Sequence, residues 1–236
     1  MARQRELPPV PEKPVVSPAA TVGGEEEIEI DSTSVAPRLE ARVRAPRGAT
    51  RAVLLCHPHP LYGGTMHSAV LVAVARLLAE RGGDDVAHLR FNYRGVGRSE
   101  GAYDEGRGEI RDTTRALAEL SRRAPGARIT ACGYSFGTWV GLRAAAAGAP
   151  ENGVDRVVLV APAVRVFDFL EEDGRAFPGR IAIFAGDQDD FCEVEEAKGL
   201  ATRLGATLEV LPGSDHFFLR SRRALAEAAY PAIVPR

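Results

Sequence analysis

The sequence predicts an α/β fold: a mostly parallel sheet with helices on both faces and no cap domain. Three observations predict it. From residue 52 onward, short apolar runs alternate with segments of helical spacing, the order that parallel strands joined by crossover helices require. The runs are continuous, as in Ala52-Val53-Leu54-Leu55-Cys56, so those strands are covered on both faces. The stretch 162–179 is the only long connection, with room for a small lid but not for a cap.

The elements follow in order. Pro8, Pro9, Pro11, Pro14 and Pro18 crowd a start with little that packs, so residues 1–22 read as a disordered proline-rich tail and 23–236 as the folded domain. Residues 27–30 and 39–43 alternate as half-exposed strands do, and Pro46 and Gly48 then mark a turn. No helix separates these two strands, which suits an antiparallel start to the sheet. Strand 52–56 is followed by a helix over 68–80 that stops at Gly82-Gly83. Strand 86–91 leads to a helix over 109–122, with Ile110, Thr113, Leu117 and Leu120 on one face. Strand 128–132, helix 136–147 ended by Gly148, and strands 156–161 and 180–185 come next. A helix over 193–204, a strand over 207–211 and a helix over 217–229 stopped by Pro231 complete the chain.

Composition narrows the function. Thirty basic and 32 acidic side chains leave a formal charge of −2, which gives no electrostatic footprint for nucleic acid and no polybasic membrane patch. Cys56, Cys132 and Cys192 are odd in number and form no CxxC pair, which points to a reducing cytoplasm. No apolar run approaches the roughly 18 residues that span a bilayer, and Met1 to Leu7 lead into no signal-peptide core. The exposed edge strand expected near the C-terminus leaves a homodimer open.

In a sheet of this kind, ligands gather at the carboxyl ends of the strands. Four sets of polar residues are expected there. Gly133-Tyr134-Ser135-Phe136-Gly137 follows a strand, opens a helix and fits G-x-S-x-G, the nucleophile elbow. So sharp a turn strains the serine backbone, and the residues two positions away must be glycine to avoid each other. It lifts the Ser135 hydroxyl clear of the sheet and aims the Phe136 N–H and the helix N-terminus at a reacting oxygen. Gly186-Asp187-Gln188-Asp189-Asp190 follows the strand at 180–185 and offers three carboxylates that could orient a histidine. Asp189 is favoured, because a short turn after Gly186 must first cross the sheet end; Asp190 comes second and Asp187 third. One of the aspartates also suits the cap of the helix that follows.

His216 lies in the loop after the last strand, within Gly213-Ser214-Asp215-His216-Phe217-Phe218. The order Ser135, Asp189, His216 is the nucleophile–acid–base order of elbow hydrolases. The fourth set is His57-Pro58-His59-Pro60-Leu61-Tyr62-Gly63-Gly64. An oxyanion hole needs a second backbone N–H from this loop. Pro58 and Pro60 have none, which leaves His59 or Leu61, with His59 favoured as the nearer to the strand end. His57 and His59 read better as braces for the loop than as metal ligands, since no carboxylate cluster accompanies them. The run Arg94-Gly95-Val96-Gly97-Arg98-Ser99-Glu100-Gly101 is one residue too wide for a dinucleotide fingerprint and reads as a glycine-bent loop with structural arginines. Cys192 reads as a buried apolar residue.

These residues carry a family likeness. Leu55-Cys56-His57-Pro58-His59-Pro60 with Gly63-Gly64, Phe91-Asn92-Tyr93-Arg94-Gly95-Val96-Gly97-Arg98-Ser99, the elbow, Gly186-Asp187-Gln188-Asp189 and Asp215-His216-Phe217-Phe218 span most of the folded part. In them the chain resembles the compact, capless α/β-hydrolases of the dienelactone-hydrolase-like and serine-aminopeptidase-like groups. The resemblance implies an α/β-hydrolase fold with an eight-stranded sheet. It also implies Ser135 as nucleophile, Asp189 as acid and His216 as base. The chain departs from true dienelactone hydrolases in carrying Ser135 where they use cysteine.

The expected function is a cytoplasmic serine hydrolase that cleaves an ester, thioester or small amide of a small-molecule acyl substrate through a covalent acyl-enzyme. Phe136 and His59 would form its oxyanion hole, and Leu61 and Tyr62, with Tyr103 and the 162–179 connection, would shape substrate binding. The chemistry calls for no metal and no cofactor. The alternatives are acyl transfer on the same triad and a non-catalytic scaffold that keeps the fold to bind a ligand or partner.

Overall fold

The computed structural model describes residues 20–34, 36–148 and 152–235. The proline-rich tail expected over 1–22 lies almost wholly outside the described residues. The strands are β1 (Glu26–Ile30), β2 (Leu39–Arg44), β3 (Arg51–Cys56), β4 (Val86–Phe91), β5 (Arg128–Tyr134), β6 (Val154–Val160), β7 (Arg180–Gly186) and β8 (Thr207–Leu211). The helices are α1 (Ala69–Gly82), α2 (Arg107–Arg123), α3 (Phe136–Ala147), α4 (Glu171–Arg175), α5 (Val194–Leu204) and α6 (Arg222–Ile233).

The strands form one eight-stranded sheet in the order β1-β2-β4-β3-β5-β6-β7-β8. The pairings β1–β2 and β2–β4 are antiparallel, and all the others are parallel. The antiparallel start and the parallel body both match the sequence pattern. From β3 the chain steps to β4 on one side and then crosses to β5 on the other. The strand order therefore reverses between β3 and β5, where Cys56 pairs with Gly133. A crevice opens at such a reversal, outside the carboxyl ends of the strands.

Successive residues of β3 point to opposite faces, and both faces are covered. Leu54 and Cys56 join a core with Leu117 and Leu120 of α2, Val140 of α3 and Leu200 of α5. Val53 and Leu55 join a second core with Leu71 and Leu77 of α1 and Leu225 of α6. This two-sided burial is why the run from Ala52 to Cys56 is apolar throughout. Among the described residues, no helix is long and apolar enough to cross a membrane.

Packing begins earlier than Gly23. Val22 is buried in the second core, and the Ala20 carbonyl accepts from Arg90 Nη2 at 2.6 Å. Arg90 and His88 lie on β4 with wholly buried side chains and share one carboxylate, that of Glu25. The Arg90 Nε–Glu25 Oε1 distance is 2.8 Å, and His88 Nε2 stands 3.0 Å from the same oxygen. Burial alone would raise the Glu25 carboxyl, but hydrogen bonds from Arg90 and His88 outweigh it and hold its pKa at about 2.

Two expected helix bounds shift at the C-terminus. α6 begins at Arg222 rather than at 217, because residues 217–221 are spent on turns: the Phe218 N–H reaches the Asp215 carbonyl, and Phe218 takes a φ of 48°. α6 also runs through Pro231 to Ile233. Tertiary contacts hold that last turn, since Ile233 is buried and its carbonyl accepts from Thr130 Oγ1 at 2.8 Å. The connection 162–179 contains no cap, only the short helix α4, which hydropathy spacing did not mark.

Candidate active site

Ser135 sits between β5 and α3 with a φ of 54°, a value that L-residues adopt only at a cost of about 1–3 kcal/mol. Two close approaches enforce the turn. A β-carbon on Gly133 would stand 2.2 Å from the Gly137 carbonyl oxygen, and one on Gly137 would stand 2.2 Å from that of Cys56. Glycine at both positions lets the start of α3 rest directly on the end of β3. Ala161 and Phe218 also have positive φ, at 46° and 48°, so three strained non-glycine residues lie at the carboxyl ends of the strands.

Three loops meet at this rim. His216 Nε2 stands 3.1 Å from Ser135 Oγ, and His216 Nδ1 stands 2.8 Å from Asp189 Oδ2. Because the carboxylate can only accept, Nδ1 carries the ring proton, and Nε2 is left as an acceptor for the serine hydroxyl. Ser135, His216 and Asp189 are 8%, 6% and 4% exposed, so little water competes for these bonds. The other Asp189 oxygen accepts the Phe191 N–H at 2.8 Å, which fixes the carboxylate plane. Of the three aspartates left open by the sequence, Asp189 is the one on His216. The Asp187 carboxylate accepts the Ser214 N–H at 3.3 Å, and the Asp190 carbonyl accepts from Arg165.

The loop after β3 supplies the other wall. His57 is fully buried: its Nδ1 donates to the Pro58 carbonyl at 2.6 Å, and its Nε2 accepts the Tyr93 N–H at 3.1 Å. Burial pushes its pKa down to about 3. His59 Nδ1 accepts the Leu61 N–H at 3.2 Å, and its Nε2 donates to the Tyr103 hydroxyl at 3.0 Å. Burial lowers the His59 pKa to about 4. Both imidazoles are thus neutral braces of the loop with both ring nitrogens engaged. Among the described residues, no group of three or more metal-ligating side chains comes together.

Phe136 is the first residue of α3, where the N–H has no intrahelical acceptor. The Leu61 N–H is taken by the His59 ring, whereas the His59 N–H has no partner among the described residues. The glycine-bent loop holds structural contacts. Arg94 makes a bidentate pair with Asp112 at 2.8 and 2.9 Å, and the Arg98 N–H donates to Glu40. Cys192 is fully buried, and burial raises its thiol to about 12, so it is no nucleophile at neutral pH.

A cavity of about 390 Å³ opens over Ser135 and His216. Tyr62, Val70, Val166, Phe167, Phe191 and Phe217 form much of its wall. Leu61 is a correction: it does not line the cavity. It shares a 3₁₀ turn with Tyr62, and at three residues per turn adjacent side chains point well apart. The sequence reading missed Tyr134, Phe191, Phe217 and Arg222. The Tyr134 hydroxyl donates to the His216 carbonyl at 3.1 Å, and the Phe191 ring lies 4.6 Å from the His216 ring. Each of the first three is an aromatic neighbour of an expected site residue, which was the available signal.

A family model described as serine aminopeptidase, S33, matches residues 48–170. The chain belongs to that family. The matched span holds Ser135 and stops short of Asp189 and His216, which the fold brings to it. The chain is 32% identical over 193 residues to an uncharacterized protein of Rickettsia prowazekii, covering 77% of this chain and 78% of that one. Two solved structures are similar over nearly their whole length. An α/β serine hydrolase homologue from Coxiella burnetii has a TM-score of 0.72 and 29% identity, with 89% of this chain and 99% of that one covered. An α/β serine hydrolase without a lid from Xanthomonas campestris has a TM-score of 0.75 and 27% identity, with 92% and 99% covered. By family and fold the molecule is a capless α/β serine hydrolase.

Proposed function

We propose that the protein cleaves an ester, thioester or small amide through a covalent acyl-enzyme on Ser135. The observation that carries the proposal is the unbroken hydrogen-bonded chain Ser135–His216–Asp189 at the floor of an apolar cavity. Ser135 Oγ attacks the carbonyl carbon as its proton passes to His216 Nε2. Asp189 holds the imidazole in the Nδ1–H tautomer and balances the imidazolium that forms. The N–H groups of Phe136 and His59 donate to the oxyanion, each contributing on the order of 3 kcal/mol to the transition state.

The tetrahedral intermediate collapses when the bond to the leaving group breaks, and His216 returns the proton to that group. Water then attacks the acyl-serine, again giving a proton to His216. Collapse releases the carboxylic acid and returns the proton to Ser135. The aromatic wall of Tyr62, Phe167, Phe191 and Phe217 suits an apolar acyl or aryl group.

The test is labelling by a fluorophosphonate probe together with turnover of p-nitrophenyl acetate. Wild type is expected to show both and Ser135→Ala neither. Undiminished labelling of Ser135→Ala would overturn the assignment of the nucleophile. A folded wild type inert to both reagents would favour a ligand-binding scaffold.

A further inference from the structure

Among the described residues, Arg222 is the one side chain of fixed charge in the wall of the cavity, and no carboxylate lines that wall. Its Nε is shielded from solvent and has no hydrogen-bond partner among the described residues. Its neighbour Arg223 is held by both Glu80 and Glu227, whereas Arg222 makes no ion pair among the described residues. A guanidinium on a cavity wall without a counter-ion is a ready partner for a bound anion, which would meet it through charge-assisted hydrogen bonds.

The local sequence adds to the positive charge around Arg222. Arg222 is the first residue of α6, a helix of 12 residues with no acidic side chain in its first turn. Arg220, Arg222 and Arg223 therefore crowd the positive end of the helix dipole, where acidic residues are the stabilising choice. Beyond Ala69 and Arg222 the cavity adjoins a second cleft, bordered by Arg76, Arg223 and His67. Phe217 and Leu219, 55% and 62% exposed, give the wall of the first cavity an apolar surface open to solvent.

We infer that the substrate carries an anionic group, a carboxylate or a phosphate, that Arg222 binds while the apolar part of the molecule lies on Phe217 and Leu219. The inference rests on the hydrolase reading above and names the substrate class of that same site. Arg222 selects among esters and takes no part in the proton transfers.

The experiment compares kcat/KM for three aryl acetates of similar shape: 4-acetoxybenzoate, its neutral methyl ester, and 4-acetoxyphenyl phosphate. Wild type at low ionic strength is expected to prefer at least one anionic ester to the methyl ester by about tenfold or more, the worth of one charge-assisted contact. The larger of the two anionic ratios assigns carboxylate or phosphate. Arg222→Gln is expected to bring the anionic-to-neutral ratio close to one, Arg222→Lys to keep much of it, and Arg222→Glu to invert it. Equal rates on all three esters in wild type, or a preference that survives in Arg222→Gln, would overturn this inference alone. Absence of turnover on all three would overturn the hydrolase reading and this inference with it.

Discussion

A β-carbon on Gly186 would stand 2.0 Å from the carbonyl oxygen of Ser214. That same oxygen accepts the Gln188 N–H at 3.0 Å. The loops after β7 and β8 are thus clamped backbone to backbone, and one carries Asp189 while the other carries His216. Gly186→Ala must push them apart. The expected result is a fall in kcat on p-nitrophenyl acetate of about 10²-fold, the usual effect of misplacing catalytic groups by about an ångström. Overpacking should also cost about 1–3 kcal/mol of stability. Thermal unfolding followed by circular dichroism separates the two effects. Unchanged kcat in a destabilised but folded variant would mean that the clamp does not align the two loops.

The three aspartates of the turn give a sharper test of the acid. Among the described residues, Asp189 is the one of the three that bonds to His216. Asp189→Asn would put an amide where the Nδ1–H needs an acceptor of fixed charge, and kcat is expected to fall about 10³–10⁴-fold. Asp187→Asn and Asp190→Asn are expected to stay within about tenfold of wild type, since the Asp187 carboxylate is bonded to the Ser214 N–H and the Asp190 carbonyl to Arg165. Steady-state kinetics on the three variants decides it, and equal losses in all three would refute the assignment.

The sequence exposed these features unevenly, for physical reasons. Strands such as β3 were legible because burial on both faces leaves a continuous apolar run. The elbow was legible because its steric demand for Gly133 and Gly137 is written in residue type. The choice of Asp189 over Asp187 and Asp190 was favoured but left open, since it turns on which carboxylate a loop of a few residues points inward. Leu61 was misjudged because a 3₁₀ turn separates neighbours that composition treats alike. The start of α6 was misplaced because Phe217 to Ser221 have helix-compatible residue types but form turns around Asp215. Arg90 and His88 were read simply as part of a strand. Their partner Glu25 lies far away in the sequence, and no local pattern reports such a pairing.

That pairing predicts a stability effect remote from the site. Glu25, His88 and Arg90 all have side chains with 0% exposure. Glu25→Gln removes the one carboxylate paired with Arg90 among the described residues and leaves that buried charge without it. Breaking a buried pair in this way costs about 3–5 kcal/mol. Urea unfolding of Glu25→Gln should show a midpoint lowered to match, with little change in kcat below the transition. A loss under about 1 kcal/mol would mean that water or a shift of the Ala20 carbonyl compensates the charge.

His57 and His59 predict how the fold responds to acid. Burial holds their pKa values at about 3 and about 4 in the folded protein, against an ordinary 6.5. The unfolded chain takes up these two protons as pH falls through about 6.5, and the folded chain does not take them until far lower. Between those limits the unfolded state binds more protons, so stability rises with pH and falls as the solution is acidified. Each histidine contributes up to about 1.4 kcal/mol per pH unit of that loss. Glu25 acts in the same direction at lower pH, because its folded pKa of about 2 lies below the ordinary 4.5. Urea midpoints measured at half-unit steps should therefore be flat from pH 8 to 7 and fall steadily from pH 6.5 to 4. His57→Gln, whatever its absolute stability, should take up about one proton fewer on unfolding near pH 5. An identical slope in that variant would mean that His57 is already protonated in the folded state, and its acceptor bond from the Tyr93 N–H would then have to be abandoned.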